Sequence, residues 1–89
     1  MITIHKFTLT IEDEQTLMLP VGHVVRHIGL DPQGSPSVWI ELDTNAPKIE
    51  YTASVRGTGQ PVPKAGVYSL PCFAGTLVHG AFVWHVWLA

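Results

Sequence analysis

Hydrophobic and polar residues alternate along most of this chain, and the alternation has a period of two. Ile49, Tyr51, Ala53 and Val55 are interleaved with Glu50, Thr52, Ser54 and Arg56; Val38, Ile40 and Leu42 are interleaved with Trp39, Glu41 and Asp43. Successive side chains of a strand point to opposite faces, so both segments predict half-buried β-strands. The last stretch, Ala81 to Ala89 (AFVWHVWLA), is different because both of its parities are apolar. Phe82, Trp84, Val86 and Leu88 share one face, and Val83, His85 and Trp87 the other. That pattern predicts a central strand covered on both sides, by the rest of the domain or by a second subunit. The preceding His79-Gly80 pair, flanked by Val78 and Ala81, has the spacing of a two-residue hairpin turn.

The remaining segments read the same way. Residues 2–11 predict a strand in which the apolar parity changes from Ile2 and Ile4 to Phe7, Leu9 and Ile11, so a bulge or a change of partner is expected near His5-Lys6. After the acidic turn Glu12-Asp13-Glu14, Gln15 to Leu19 is a short strand ended by Pro20, and the two predict an N-terminal hairpin. Val21 to Leu30 reads as a strand, with Val24, Arg26, Ile28 and Leu30 on one parity and His23, Val25 and His27 on the other. Asp31 to Pro36 and Thr44 to Pro47 are turns. Gly57 to Cys72 is the longest irregular segment, and loops of that length in small domains are more often functional, or docked on a partner, than idle. Gly75 to Val78 and Ala81 to Leu88 form a closing hairpin. No window carries a helical period. The expectation is one all-β domain over residues 1–89, an antiparallel meander of about seven short strands forming a small sandwich or barrel.

Charge changes the picture more than size does. Charged residues are 13% of the chain and hydrophobic residues 46%. That balance excludes disorder and leaves little charge to solvate a monomer's surface, which predicts a homo-oligomer. The net charge is −2, and Lys6, Arg26, Lys48, Arg56 and Lys64 are scattered, so there is no footprint for DNA or RNA. Cys72 is the sole cysteine, which excludes an intrachain disulfide and suggests a cytoplasmic protein. No secretory signal is evident, and the longest apolar run falls short of the roughly 20 residues that span a bilayer.

Arg56-Gly57-Thr58-Gly59-Gln60-Pro61 is the most distinctive polar cluster. Its glycines let a ligand approach the backbone, successive amides can form an anion nest, and Arg56 can pair with phosphate or carboxylate. A tight turn with a solvated arginine is the plainer reading of the same residues. The five histidines do not suggest a metal site: His23 and His27 would lie about 13 Å apart on a strand, and no ligand pair has metal spacing. No cofactor is expected. His85, inside the apolar last strand, reads as a core or interface histidine with its nitrogens satisfied. Trp39, opposite in parity to Val38 and Ile40, is a candidate for stacking on a base or for an interface. No serine, and not Cys72, has the context of an activated nucleophile, so an enzyme is not expected.

Ile4-His5-Lys6, Asp13-Glu14-Gln15-Thr16, Leu19-Pro20, Gly22, Trp39, Asp43, Gly57-Thr58-Gly59, Pro61 and Phe82-Val83-Trp84-His85-Val86 together resemble a family of short proteins encoded by tailed bacteriophages. The resemblance runs from the first strand to the last and is weakest over Val24 to Ser37. It implies a phage protein acting in the host bacterial cytoplasm and supplies no chemistry. The resulting expectation is an anti-defence binding protein that sequesters a small nucleotide-like signal near subunit interfaces, using Arg56, Gly57, Thr58, Gly59, Trp39 and His85. The alternatives are an inhibitor of a host enzyme or defence protein, a virion accessory module, or a small nucleotide hydrolase.

Overall fold

Period-two patterning of this kind needs two layers, because a sheet with one apolar face must cover that face with another element. The computed structural model, which describes residues 1–66 and 70–89, meets that need with two antiparallel sheets. Its strands are β1 (Ile2–Thr8), β2 (Glu14–Pro20), β3 (Val24–Leu30), β4 (Pro36–Asp43), β5 (Lys48–Gly57), β6 (Cys72–His79) and β7 (Phe82–Leu88). Sheet A has the order β1-β4-β3 and sheet B the order β2-β5-β7-β6. Val38, Ile40 and Leu42 of sheet A and Ala53, Val55, Leu77, Val86 and Leu88 of sheet B belong to one buried cluster, with Leu9, Leu19 and Ile28. Ile40 and Leu19 are wholly buried. The sheets thus pack face to face as a sandwich without closing into a barrel. No described helix is long and apolar enough to cross a membrane.

The alternating strands present the faces expected of them. On β5, Ala53 and Val55 are buried while Glu50 is exposed. β7 lies between β5 and β6, but within the chain only one of its two apolar faces is covered, by the core around Val86 and Leu88, and Val83 on the other face is exposed.

Five local expectations are corrected. β1 and β2 are not a hairpin: β1 pairs with β4 and β2 with β5, in different sheets. The chain crosses between layers at Leu9, which is buried and donates its amide to Pro36 O at 2.8 Å. Nor does β1 bulge at His5-Lys6. Its register runs unbroken from Ile2↔Asp43 to Thr8↔Ser37, and the parity change is resolved by leaving Ile2 and Ile4 exposed on the outer face. The bulges occur instead in β3, between Val25 and His27, and in β6, between Phe73 and Gly75. The β3 bulge breaks the parity read there, so that Val25 faces Ile40 and Ile28 faces Val38 on the core side. β6 starts at Cys72, three residues before the expected strand, and the closing turn is Gly80-Ala81, not His79-Gly80. Its His79↔Phe82 pairing and Gly80 φ of 63° are those of a type II′ turn. Residues 67–69, within the long irregular segment read from Gly57 to Cys72, lie outside the described residues.

The β3–β4 turn is organised by a buried carboxylate. Asp31 Oδ1 accepts the amides of Gln33 and Ser35, both at 2.9 Å, and Oδ2 accepts Lys6 Nζ at 2.8 Å. An aspartate at the first position of a turn commonly bonds the backbone two residues on. Here it also ties β1 to that turn.

Candidate functional site

One residue before the end of strand β5, Arg56 stands on the outer face of sheet B, directly opposite His85 of β7. The chain then reverses through Gly57-Thr58-Gly59-Gln60, where Gln60 N donates to Gly57 O at 3.1 Å and Gly59 has a φ of 93°. These are the marks of a type II turn, which needs positive φ at its third residue and so places glycine there. The turn carries Thr58 back over the sheet, where its Oγ1 lies 2.8 Å from His85 Nε2. Thr76 Oγ1, on β6, lies 2.9 Å from His85 Nδ1. In either neutral tautomer one threonine hydroxyl donates and the other accepts, so both ring nitrogens are satisfied. His85 therefore pins the turn and β6 to the last strand, and its satisfied nitrogens match the reading made from sequence.

The same accounting shows what the turn offers a ligand. Gly57 N donates to Gln60 Oε1, Thr58 N to Val83 O at 3.4 Å, and Gln60 N to Gly57 O. Three of the four turn amides are thus engaged inside the protein, and they do not converge as an open nest. Arg56 donates from Nη1 to the carbonyls of Asp13 and Val55, and its Nη2 lies 3.9 Å from Glu14 Oε1. Its side chain is only 16% exposed. Beyond it lies a cavity of ≈ 410 Å³ lined by Asp13, Glu14, Arg56, Gln60 and the Pro61–Lys64 segment. Two cations, Arg56 and Lys64, face two acidic residues there.

Of the residues singled out from sequence, the structure gathers Arg56, Gly57, Thr58, Gly59 and His85. Trp39 is not among them. It lies on the outer face of sheet A, between Lys6 and His27 in register, with its ring 5.4 Å from that of His27. The two outer faces point away from each other, so within one chain Trp39 does not join Arg56 at a ligand. Among the described residues, no three His, Cys, Asp or Glu side chains are placed to hold a metal ion. His23, for instance, has Nδ1 at 3.0 Å from Pro20 O and its ring edge-on to Tyr51.

Sequence reasoning missed Thr76 and the apolar surroundings of this cluster. Phe73, Val78 and Val83 are 59, 62 and 38% exposed on the outer face of sheet B. Phe73 packs edge-on against Trp87 at 5.4 Å. The double apolar parity of β7 was the available signal for half of this surface; β6 carried none because its bulge breaks the alternation.

Residues 1–89 match the family described as Domain of unknown function (DUF7352). No curated protein and no solved structure matches the chain.

Proposed function

The chain belongs to the DUF7352 family, and on that footing we propose that it is a non-catalytic accessory protein that docks a protein partner on the outer face of sheet B. The observation that carries this reading is the pairing of exposed Phe73, Val78 and Val83 with polar neighbours that are already bonded to one another. Partly exposed apolar pairs, Phe73 beside Trp87 and Val78 beside Val83, flank the Thr76–His85 pair on one sheet face, and apolar surface rimmed by polar groups is a feature of interaction sites. A catalyst needs a nucleophile or base free to meet substrate, whereas His85, Thr58 and Thr76 satisfy each other. The resemblance to tailed-phage proteins supports a setting in the infected bacterial cytoplasm and a host enzyme or defence protein as the partner. The test is affinity capture from host lysate with the wild type and with Val83→Lys. One stoichiometric host protein, lost in the variant with its circular dichroism unchanged, is the expected result. Capture unaffected by Val83→Lys overturns the reading.

A second reading is sequestration of a small nucleotide-like anion, and the cavity beside Arg56 and Lys64 is the observation that favours it. Its size suits a small ligand, although Asp13 and Glu14 oppose a phosphate there. Trp39 would reach such a ligand only from a neighbouring copy. Native mass spectrometry with candidate nucleotides tests it: a retained nucleotide, lost in Arg56→Ala, supports this reading, and no adduct with any of them removes it.

A further inference from the structure

We propose that the gap between β1 and β2 is a binding site for a small monocarboxylate whose apolar part is about the size of a benzene ring. The two sheets meet unequally along their sides. β3 packs along β6 and closes one side of the sandwich, whereas no comparable contact joins β1 to β2 on the other. On that open side a cavity of ≈ 190 Å³ enters between the layers. Its lining includes Leu42 and Pro20, both buried, Phe7, which is half-buried, and the exposed Met18, His5 and Lys48. In register His5 faces Ile40 and Phe7 faces Val38, so both stand on the inner face of sheet A, the face that builds the core. A histidine on that face of an edge strand is a polar group aimed at an apolar gap.

Size and charge together select the ligand. A cavity of about 150 Å³ with aliphatic and aromatic walls holds one benzene molecule, and drug-sized ligands need roughly 300 Å³ or more. A cavity of ≈ 190 Å³ therefore suits a single ring, or a short alkyl chain, with a small head group. The head group follows from the rim. The described lining contains no Asp or Glu, unlike the cavity beside Arg56, where Asp13 and Glu14 stand. Lys6, Arg26 and Arg56 each have a carboxylate partner, and among the described residues Lys48 has none. A ligand carboxylate can accept charge-assisted hydrogen bonds from the Lys48 ammonium and a further one from a ring N–H of His5. The apolar walls reward a ligand that also buries hydrocarbon, so a bare inorganic anion leaves most of the cavity unused.

The experiment is a titration of the isotope-labelled chain with benzoate, read from its amide NMR shifts, beside the same titration with neutral benzamide. It uses no other protein and a different face from the outer side of sheet B, so its outcome does not depend on the docking reading above. Benzoate is expected to give saturable shifts centred on His5, Phe7, Met18 and Lys48, and to bind at least about tenfold more tightly than benzamide. Lys48→Met keeps the apolar stem, removes the ammonium and lies at an exposed position that the fold does not need. It is expected to weaken benzoate at least about tenfold, a loss of about 1.4 kcal/mol. Met18→Trp, at a side chain 51% exposed, is expected to fill the gap and abolish binding of both compounds. No saturable shift with benzoate overturns the proposal. So does equal affinity for benzamide, an affinity indifferent to Lys48→Met, or shifts centred on Arg56 and Lys64 instead.

Discussion

Asp31 has one carboxylate oxygen bonded to amides of the β3–β4 turn and the other to Lys6 of β1, and the stability it contributes depends on its charge. The Lys6 ammonium, and after it the amides of Ser35 and Gln33, hold its carboxyl below the ordinary value of 3.8, against the opposing effect of burial. A depressed folded-state value means stability that is present above 3.8 and is lost as pH falls through the folded value. Thermal melts below pH 4 are therefore expected to show a declining midpoint, with Asp43 adding to the slope because the Asn45 amide and the N-terminal amine lower it too. Asp31→Asn should lower the midpoint at neutral pH and flatten that acid slope; an unchanged slope would discount the Lys6 bond. At His85 the dependence is on hydrogen bonding. His85→Ala leaves Thr58 and Thr76 without their shared partner, at a cost of about 1–2 kcal/mol for two neutral bonds. Faster amide exchange confined to Gly57–Gln60 is the expected signature, and unaltered exchange would mean that the turn holds itself.

At the scale of elements, the two bulged strands, β3 and β6, are the two that meet where the sheets come closest. A Cβ added at Gly75 would lie 2.9 Å from Ile28 Cγ1 and 3.0 Å from its Cβ, and Ile28 is buried. The side chain has little room to move away. Gly75→Ala is expected to destabilise the protein by about 1–3 kcal/mol, the usual cost of overpacking a core. Urea denaturation measures this, and a neutral result would show that β6 can shift outward. The sequence shows the glycine but not its reason, because Ile28 comes 47 residues earlier and nothing local links them. On β7, apolar on both parities, neither face was favoured; the strand faces were legible on β4 and β5, where alternation is unbroken. They were not on β3 and β6, where one extra residue reverses every later side chain.

At the scale of the molecule, the core is thin and each buried side chain counts. Ile40, wholly buried at the centre of β4, faces sheet B from the middle of sheet A. Ile40→Ala is expected to cost about 2–5 kcal/mol. For a domain whose whole stability is on the order of 5–15 kcal/mol, that is a large share. A thermal midpoint within a few degrees of the wild type would mean that the sheets collapse onto the gap. The same smallness accounts for the apolar surface: 89 residues with 13% charge cannot turn every apolar parity inward. Ile2 and Ile4 outside sheet A are left over in this way, whereas Phe73 and Val78 outside sheet B belong to the face on which the docking reading rests.

The sequence by itself determined that this chain is all-β, where most strands lie, and which faces of β4 and β5 turn inward, because burial acts on each strand through its own period of two. It also marked Arg56 to Gly59 and His85 as unusual. The tertiary structure decided which strands pair, that β1 and β2 separate into different layers, and that Thr58 and Thr76 meet on His85 while Trp39 faces away. The physical reason is that backbone hydrogen bonds are nearly blind to side-chain identity. Partners far apart in sequence are chosen by how two apolar faces close on each other, and that choice is made by the whole chain at once.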